Sequence, residues 1–234
     1  MIGPPRAKFG AGGQQIVDQF RHPRIAGKTP IAGPKLRENA AGVLVPIQNQ
    51  LAMRGRGKGQ PDNIFETAGS FNHLFVSAAS NLAYQSIHEF DLEAARKTID
   101  AKLVAALLLS KYAARQINEH RSITFTAGIA AERPMPTAAL VAAVNGGLFS
   151  FTYALAIELA PVCVNAISHG WIETPLWDTT FGANKQTMFE RTAHSLPVGR
   201  IGRPADIGHA AIFLMENEFT TATVLPVDGG HRLV

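Results

Sequence analysis

Short apolar runs alternate along most of the chain with longer stretches that carry a single apolar face. Residues 73–78 form a run of the first kind, followed by Ser80 and Asn81, and predict a buried strand leading into a loop. Over residues 92–117, apolar side chains recur at Ile99, Leu103, Ala106, Leu107, Ala113, Ala114 and Ile117, the spacing of one helix face. A strand over 122–126, a helix over 140–159 and a strand over 162–167, closed by Gly170, come next. Pro204 opens another helix, with Asp206 in its first turn and Ile207, Ala211 and Leu214 on one face, ahead of a strand over 223–227. Strands separated by helices of this length predict an α/β protein whose parallel sheet has helices on both faces. Ligands in such sheets bind beyond the carboxyl ends of the strands.

The 234 residues are 46% hydrophobic and 17% charged, which excludes a disordered chain, and the 21 glycines follow no collagen period. That length suits one domain with a full core. Residues 1–234 are therefore read as a single domain, with 1–63 a divergent basic part and 64–234 the regular part. The longest unbroken apolar run, 103–109, falls far short of the roughly 20 residues of a membrane span, and no apolar signal core follows Met1. Cys163 is the sole cysteine, and neither it nor the eight histidines show metal-ligand spacing. A soluble cytoplasmic protein without a membrane partner or a structural metal is expected.

Charge divides the chain. Of the net +4, residues 1–60 carry +8 and the remainder −4. A basic leader can displace counterions from phosphate, but this one has only Phe9 and Phe20 to stack on bases, so a nucleic-acid partner is not expected. Its Arg54-Gly-Arg-Gly-Lys-Gly59 run also departs from a P-loop, because Gly59 stands where a Ser or Thr should hold magnesium.

Residues 158–170, Glu-Leu-Ala-Pro-Val-Cys-Val-Asn-Ala-Ile-Ser-His-Gly, with Ile172-Glu-Thr174 after them, resemble the "ELAP-x-x-VNA-x-SPG" segment of the short-chain dehydrogenase/reductase family. Residues 196–207 and Val227-Asp-Gly-Gly230 are similar to its C-terminal signature, with Thr221-Ala222 where Thr-Gly is usual. The resemblance runs from about Phe65 to the C-terminus. It implies a Rossmann-like, doubly wound fold, a nicotinamide cofactor, a small-molecule substrate, and homodimers or homotetramers. Gly170, Ile172 and Thr174 are implied beside the nicotinamide, and Ala78 in the loop where Ser77-Ala-Ala-Ser80 replaces "N-N-A-G". Toward the N-terminus, Gly10-Ala-Gly-Gly13 is similar to the end of "TG-x-x-x-GIG", which makes Gly10, Gly12 and Gly13 candidates to meet a pyrophosphate. Pro4 and Pro5 argue against a regular strand before them, so the first strand is expected to be degenerate. Lys28 falls where a basic residue favours a ribose 2′-phosphate, and NADP(H) is expected over NAD(H).

The catalytic positions depart from the family. Its Tyr-x-x-x-Lys pair falls on Val141 and Asn145, the serine that orients the substrate carbonyl falls near Ala127 beside Thr126, and the asparagine of the preceding helix falls on Lys102. Valine has no proton to give, so the usual acid is missing. Where the family has Asn on one helix and Lys on the next, this chain has Lys102 and Asn145. Lys102 is therefore a candidate acid or oxyanion stabiliser, with a solvated helix lysine as the alternative. His169, in place of the family's proline, is a second candidate acid. Thr126 and Asn145 complete the candidate catalytic set. Trp171, Leu176, Trp177, Phe181 and Phe189 suggest an apolar lid. Two readings stay open: an atypical oxidoreductase, and a non-catalytic subunit of the same fold.

Overall fold

The protein is described by a computed structural model covering residues 42–47, 65, 70–78 and 82–234. Its strands are β1 (Gly42–Ile47), β2 (Phe71–Ala78), β3 (Ile117–Gly128), β4 (Cys163–His169) and β5 (Val224–Val227). All are parallel and lie in the order β1-β2-β3-β4-β5. Parallel neighbours need crossovers. Leu92–Ile99 (α1), a π-helical turn at Asp100–Val104 and Ala105–Ala113 (α2) join β2 to β3. Ala139–Glu158 (α3) joins β3 to β4, and Leu176–Phe181 (α4), Lys185–Ser195 (α5) and Pro204–Glu216 (α6) lie between β4 and β5.

Side chains alternate across each strand, and this divides the core in two. Leu74, Val76, Ile123, Phe125, Val164 and Ala166 pack with Leu109 of α2 and Leu148 and Leu155 of α3. Phe75 and Ile167 pack with Ile207, Ala211 and Leu214 of α6. Helices thus cover both faces, as the alternation of the sequence predicts. Helix starts follow their local chemistry. Asp91 caps α1 by accepting from the backbone of Glu93 at 2.8 Å and Ala94 at 3.3 Å. Asp206 of α6 accepts from Arg203 N at 2.7 Å and from the Arg200 guanidinium at 2.8 and 3.0 Å.

Four features depart from the sequence reading. β1 pairs with β2 from Gly42↔His73 to Ile47↔Ala78, so the basic N-terminal part contributes a strand. Pro46 masks it in the sequence, and an end position in the described sheet accommodates a residue without an N–H. β3 begins at Ile117 instead of 122, and its added residues are mostly solvent-facing, where no apolar run marks a strand. The π turn replaces part of the expected single helix. The buried face runs through Ala95, Thr98, Lys102, Ala106, Leu109 and Ala113, so Leu107 is 44% exposed while Thr98, Lys102 and Ser110 face inward. Finally, α3 has the length and composition of a membrane-crossing helix, although Asn145, Gly146, Gly147, Ser150 and Thr152 keep it from being an unbroken apolar run. Here Val141, Val144, Asn145, Leu148, Thr152 and Leu155 of α3 are buried, while Tyr153 and Ile157 stay exposed.

Candidate active site

β3 and β4 end side by side at Gly128 and His169, which are register partners. The absent side chain of Gly128 makes room for Asn145 of α3: a Cβ there would lie 3.0 Å from Asn145 Nδ2. Asn145 is 2% exposed, and its Oδ1 is buried with no hydrogen-bond partner among the described residues. A buried acceptor of this kind costs stability unless a donor reaches it.

Lys102 comes to the same end of the sheet from the π turn, which packs against α3. It is 2% exposed, and burial lowers its pKa to about 8. Near pH 7 it remains mostly an ammonium, yet close enough to neutrality to give up a proton. This excludes the solvated helix lysine. His169 is half-buried, with Nδ1 2.9 Å from the Gly170 carbonyl. Its pKa is lowered to about 4 by burial first and by the nearby Lys102 cation second, against a smaller upward effect of the Gly170 carbonyl. At neutral pH the imidazole is therefore uncharged. Lys102 is thus near enough to act electrostatically on His169, whose register partner Gly128 packs against Asn145.

Thr126 does not join these residues in the way its hydroxyl suggests. Thr126 Oγ1 donates to the Val76 carbonyl at 3.1 Å, inside the sheet. Ala127 and Val141 are 0% and 1% exposed, sealed apolar surface at the serine and tyrosine positions of the resemblance. Gly170 donates its N–H to Val227 O at 3.1 Å, and a Cβ on it would lie 2.8 Å from Asp228 Cα, so the glycine is required for close backbone packing. Ile172 is buried in the α6-side core and forms an isolated bridge with Gly202. Thr174 is half-buried and accepts from Trp177 N at 3.3 Å through its carbonyl. Ala78 ends β2, whereas Gly10, Gly12, Gly13 and Lys28 lie outside the described residues.

Two sets of contacts involve residues to which the sequence assigns no site role. Ser168 Oγ donates to Glu132 Oε2 at 2.7 Å, tying the loop after β3 to the last turn of β4. Asp228 accepts from Gly230 N at 3.0 Å, Arg232 N at 2.9 Å and the Arg232 guanidinium at 3.0 Å. Burial acts to raise its pKa, but these donors outweigh it and hold the carboxyl below its usual range. After β4 the aromatic residues do cluster. The rings of Trp171 and Trp177 stack at 4.6 Å and 2°, Phe181 lies parallel to both, and Phe189 meets the two tryptophans edge-on. Trp177 Nε1 donates to the Ile172 carbonyl at 2.7 Å. Among the described residues, no group of three His, Cys, Asp or Glu side chains is placed to hold a metal ion.

A family profile described as enoyl-(acyl carrier protein) reductase matches residues 54–232. A short-chain dehydrogenase/reductase of Stachybotrys chlorohalonatus is 34% identical over 169 residues, 71% of this chain and 66% of its own length. An uncharacterised oxidoreductase of Thermotoga maritima is 32% identical over 164 residues, 67% of this chain and 64% of its own. The chain thus spans about two thirds of the length of these curated relatives. Among solved structures, a small-chain dehydrogenase in complex with NADPH superposes with a TM-score of 0.72 at 35% identity, covering 74% of this chain and 80% of that one. The MalC reductase/Diels-Alderase of Malbranchea aurantiaca superposes with a TM-score of 0.70 at 25% identity, covering 74% and 69%.

Proposed function

The chain belongs to the short-chain dehydrogenase/reductase family, and on that premise we propose that it transfers hydride between NADP(H) and a small carbonyl or alcohol, with Lys102 as its acid. The observation that carries this reading is the buried Lys102 ammonium, which shares the carboxyl end of the sheet with Asn145 and His169. The cofactor preference draws support from the NADPH-bound relative and from the position of Lys28.

The described residues fit such a cofactor at one testable point. Asn145 Oδ1 is a buried acceptor without a donor, and a ribose hydroxyl supplies one. When bound, the nicotinamide ring supplies or accepts the hydride. Lys102 donates a proton to the oxygen of the carbonyl being reduced, and in the reverse direction its neutral amine takes that proton back. Its lowered pKa suits both, since an acid works best when its pKa lies near the working pH. Reduction then falls and oxidation rises as the pH passes about 8. We extend the family's homodimer or homotetramer assembly to this chain, to be checked by light scattering.

Val141 and Ala127 favour a second reading, a non-catalytic subunit, because both leave apolar surface where the family has hydroxyls. Titration with NADPH and NADH, followed by cofactor fluorescence and thermal stabilisation, separates the two. Saturable binding with NADPH preferred supports the oxidoreductase. A folded protein that binds neither at millimolar concentration overturns it.

A further inference from the structure

His169 invites the role of a second acid, and its hydrogen bond rules that role out. Nδ1 stands 2.9 Å from the Gly170 carbonyl, a group that can only accept, so the ring proton is on Nδ1. In the neutral ring that leaves Nε2 with a lone pair and no proton. The hydrogen bond of the ring engages Nδ1 and not Nε2, and the residue is only half-buried. Burial and the Lys102 cation both oppose a second proton on the ring. The end of the sheet therefore offers two unlike groups: an ammonium that can only donate, and an imidazole nitrogen that can only accept.

We propose that His169 Nε2 is a fixed hydrogen-bond acceptor of the substrate site and selects substrates with a hydroxyl beside the reacting carbon, as in α-hydroxy ketones and vicinal diols. The proposal rests on the oxidoreductase reading above. The reacting oxygen takes its hydrogen bond from Lys102, and the neighbouring hydroxyl gives one to Nε2. A plain ketone or alcohol fills the same space but leaves Nε2 desolvated and unpaired, the situation in which a site discriminates most strongly against an analogue lacking one polar group. Asn145 Oδ1 does not serve as this acceptor, since in the reading above it takes its donor from the cofactor ribose.

The test has two independent readouts. In the nitrogen-15-labelled protein, long-range proton–nitrogen correlations identify the His169 ring by its absence in H169N. They are expected to show protonated Nδ1 and bare Nε2 from pH 6 to 8; a proton on Nε2 in that range overturns the proposal. With NADP+ present, 2,3-butanediol should shift the Nε2 resonance and 2-butanol should not; equal shifts, or none from either, overturn it. Turnover adds the specificity. Acetoin should exceed 2-butanone in kcat/KM by about 100-fold or more. H169N keeps a donor for the Gly170 carbonyl but loses the far acceptor, and should erase that preference through KM. H169Q returns an acceptor oxygen near the Nε2 position and should restore part of it. NADPH binding by the wild type is measured first. Its absence defeats the oxidoreductase reading, while the nitrogen spectrum alone still decides whether His169 is an acceptor.

Discussion

The two ends of the sheet treat polar groups in opposite ways. At the amino end they are matched to one another. His73 Nδ1 pairs with Ser122 Oγ at 2.9 Å, Asn118 Nδ2 donates to Asn72 Oδ1 at 2.7 Å, and Arg121 meets Glu218 at 3.2 Å. Asn165 spans to the loop before β5, donating to Thr220 O at 2.8 Å and accepting from Thr223 N at 3.1 Å. At the carboxyl end Asn145 Oδ1 lacks a donor, and both Lys102 and His169 have pKa values displaced by burial. Level with Asn165, Thr124 Oγ1 is a buried orphan, the exception to the matching at that end. A chain built only for stability would satisfy both ends. An acceptor such as Asn145 Oδ1, left unmatched where ligands of parallel sheets bind, is what a site can retain for its ligand.

The largest effect that would sharpen this contrast comes from Lys102→Met. If the carboxyl end trades stability for chemistry, turnover should fall by roughly 10²–10⁴-fold while the melting temperature rises at pH 7. The sign comes from linkage. The folded pKa, about 8, lies below the ordinary 10.5, so the unfolded chain holds more protons between those values and wild-type stability climbs across that window. The variant should lose that climb, worth about 3 kcal/mol in full, in melts from pH 7 to 10.5. A variant that melts lower at pH 7 would break the contrast.

Asn165→Ala tests the other end. It strands a backbone N–H and a backbone carbonyl, and should cost about 2–4 kcal/mol in urea unfolding while leaving NADPH affinity unchanged. A smaller acid effect belongs to His169. Its folded pKa of about 4 lies below 6.5, so stability present above pH 6.5 is lost as the pH falls toward 4. His169→Asn should flatten that part of the melting profile. The smallest change is Ala222→Gly. Ala222 has φ 52°, left-handed backbone that favours glycine, and the substitution should add about 1 kcal/mol.

Periodicity reveals β2 to β5, α3 and α6 because those elements bury one face against a common sheet. β1 hides behind Pro46, and the π turn escapes a search for a 3.6-residue repeat. Lys102 illustrates the limit. Spacing alone leaves it a helix lysine with an open orientation, and alignment with the family suggests an exchange of cation and amide. Its burial follows from the face it shares with Ala95, Thr98, Ala106, Leu109 and Ala113, on which it is the one charged residue, so a search for apolar repeats passes over it. Thr126 shows the converse, a well-placed hydroxyl that the sheet itself consumes. Glu132 lies in a loop, where sequence provides no pattern to tie it to Ser168.

The stacked pair after β4 has an optical consequence. The chain holds two tryptophans, Trp171 and Trp177, with ring centroids 4.6 Å apart. Indoles that close share their excited states, and a bisignate band in circular dichroism reports on their mutual orientation. Trp171 follows Gly170 at the sheet, whereas Trp177 belongs to α4. The intensity of that band therefore measures how α4 sits over the end of the sheet, without a label and before any substrate is known.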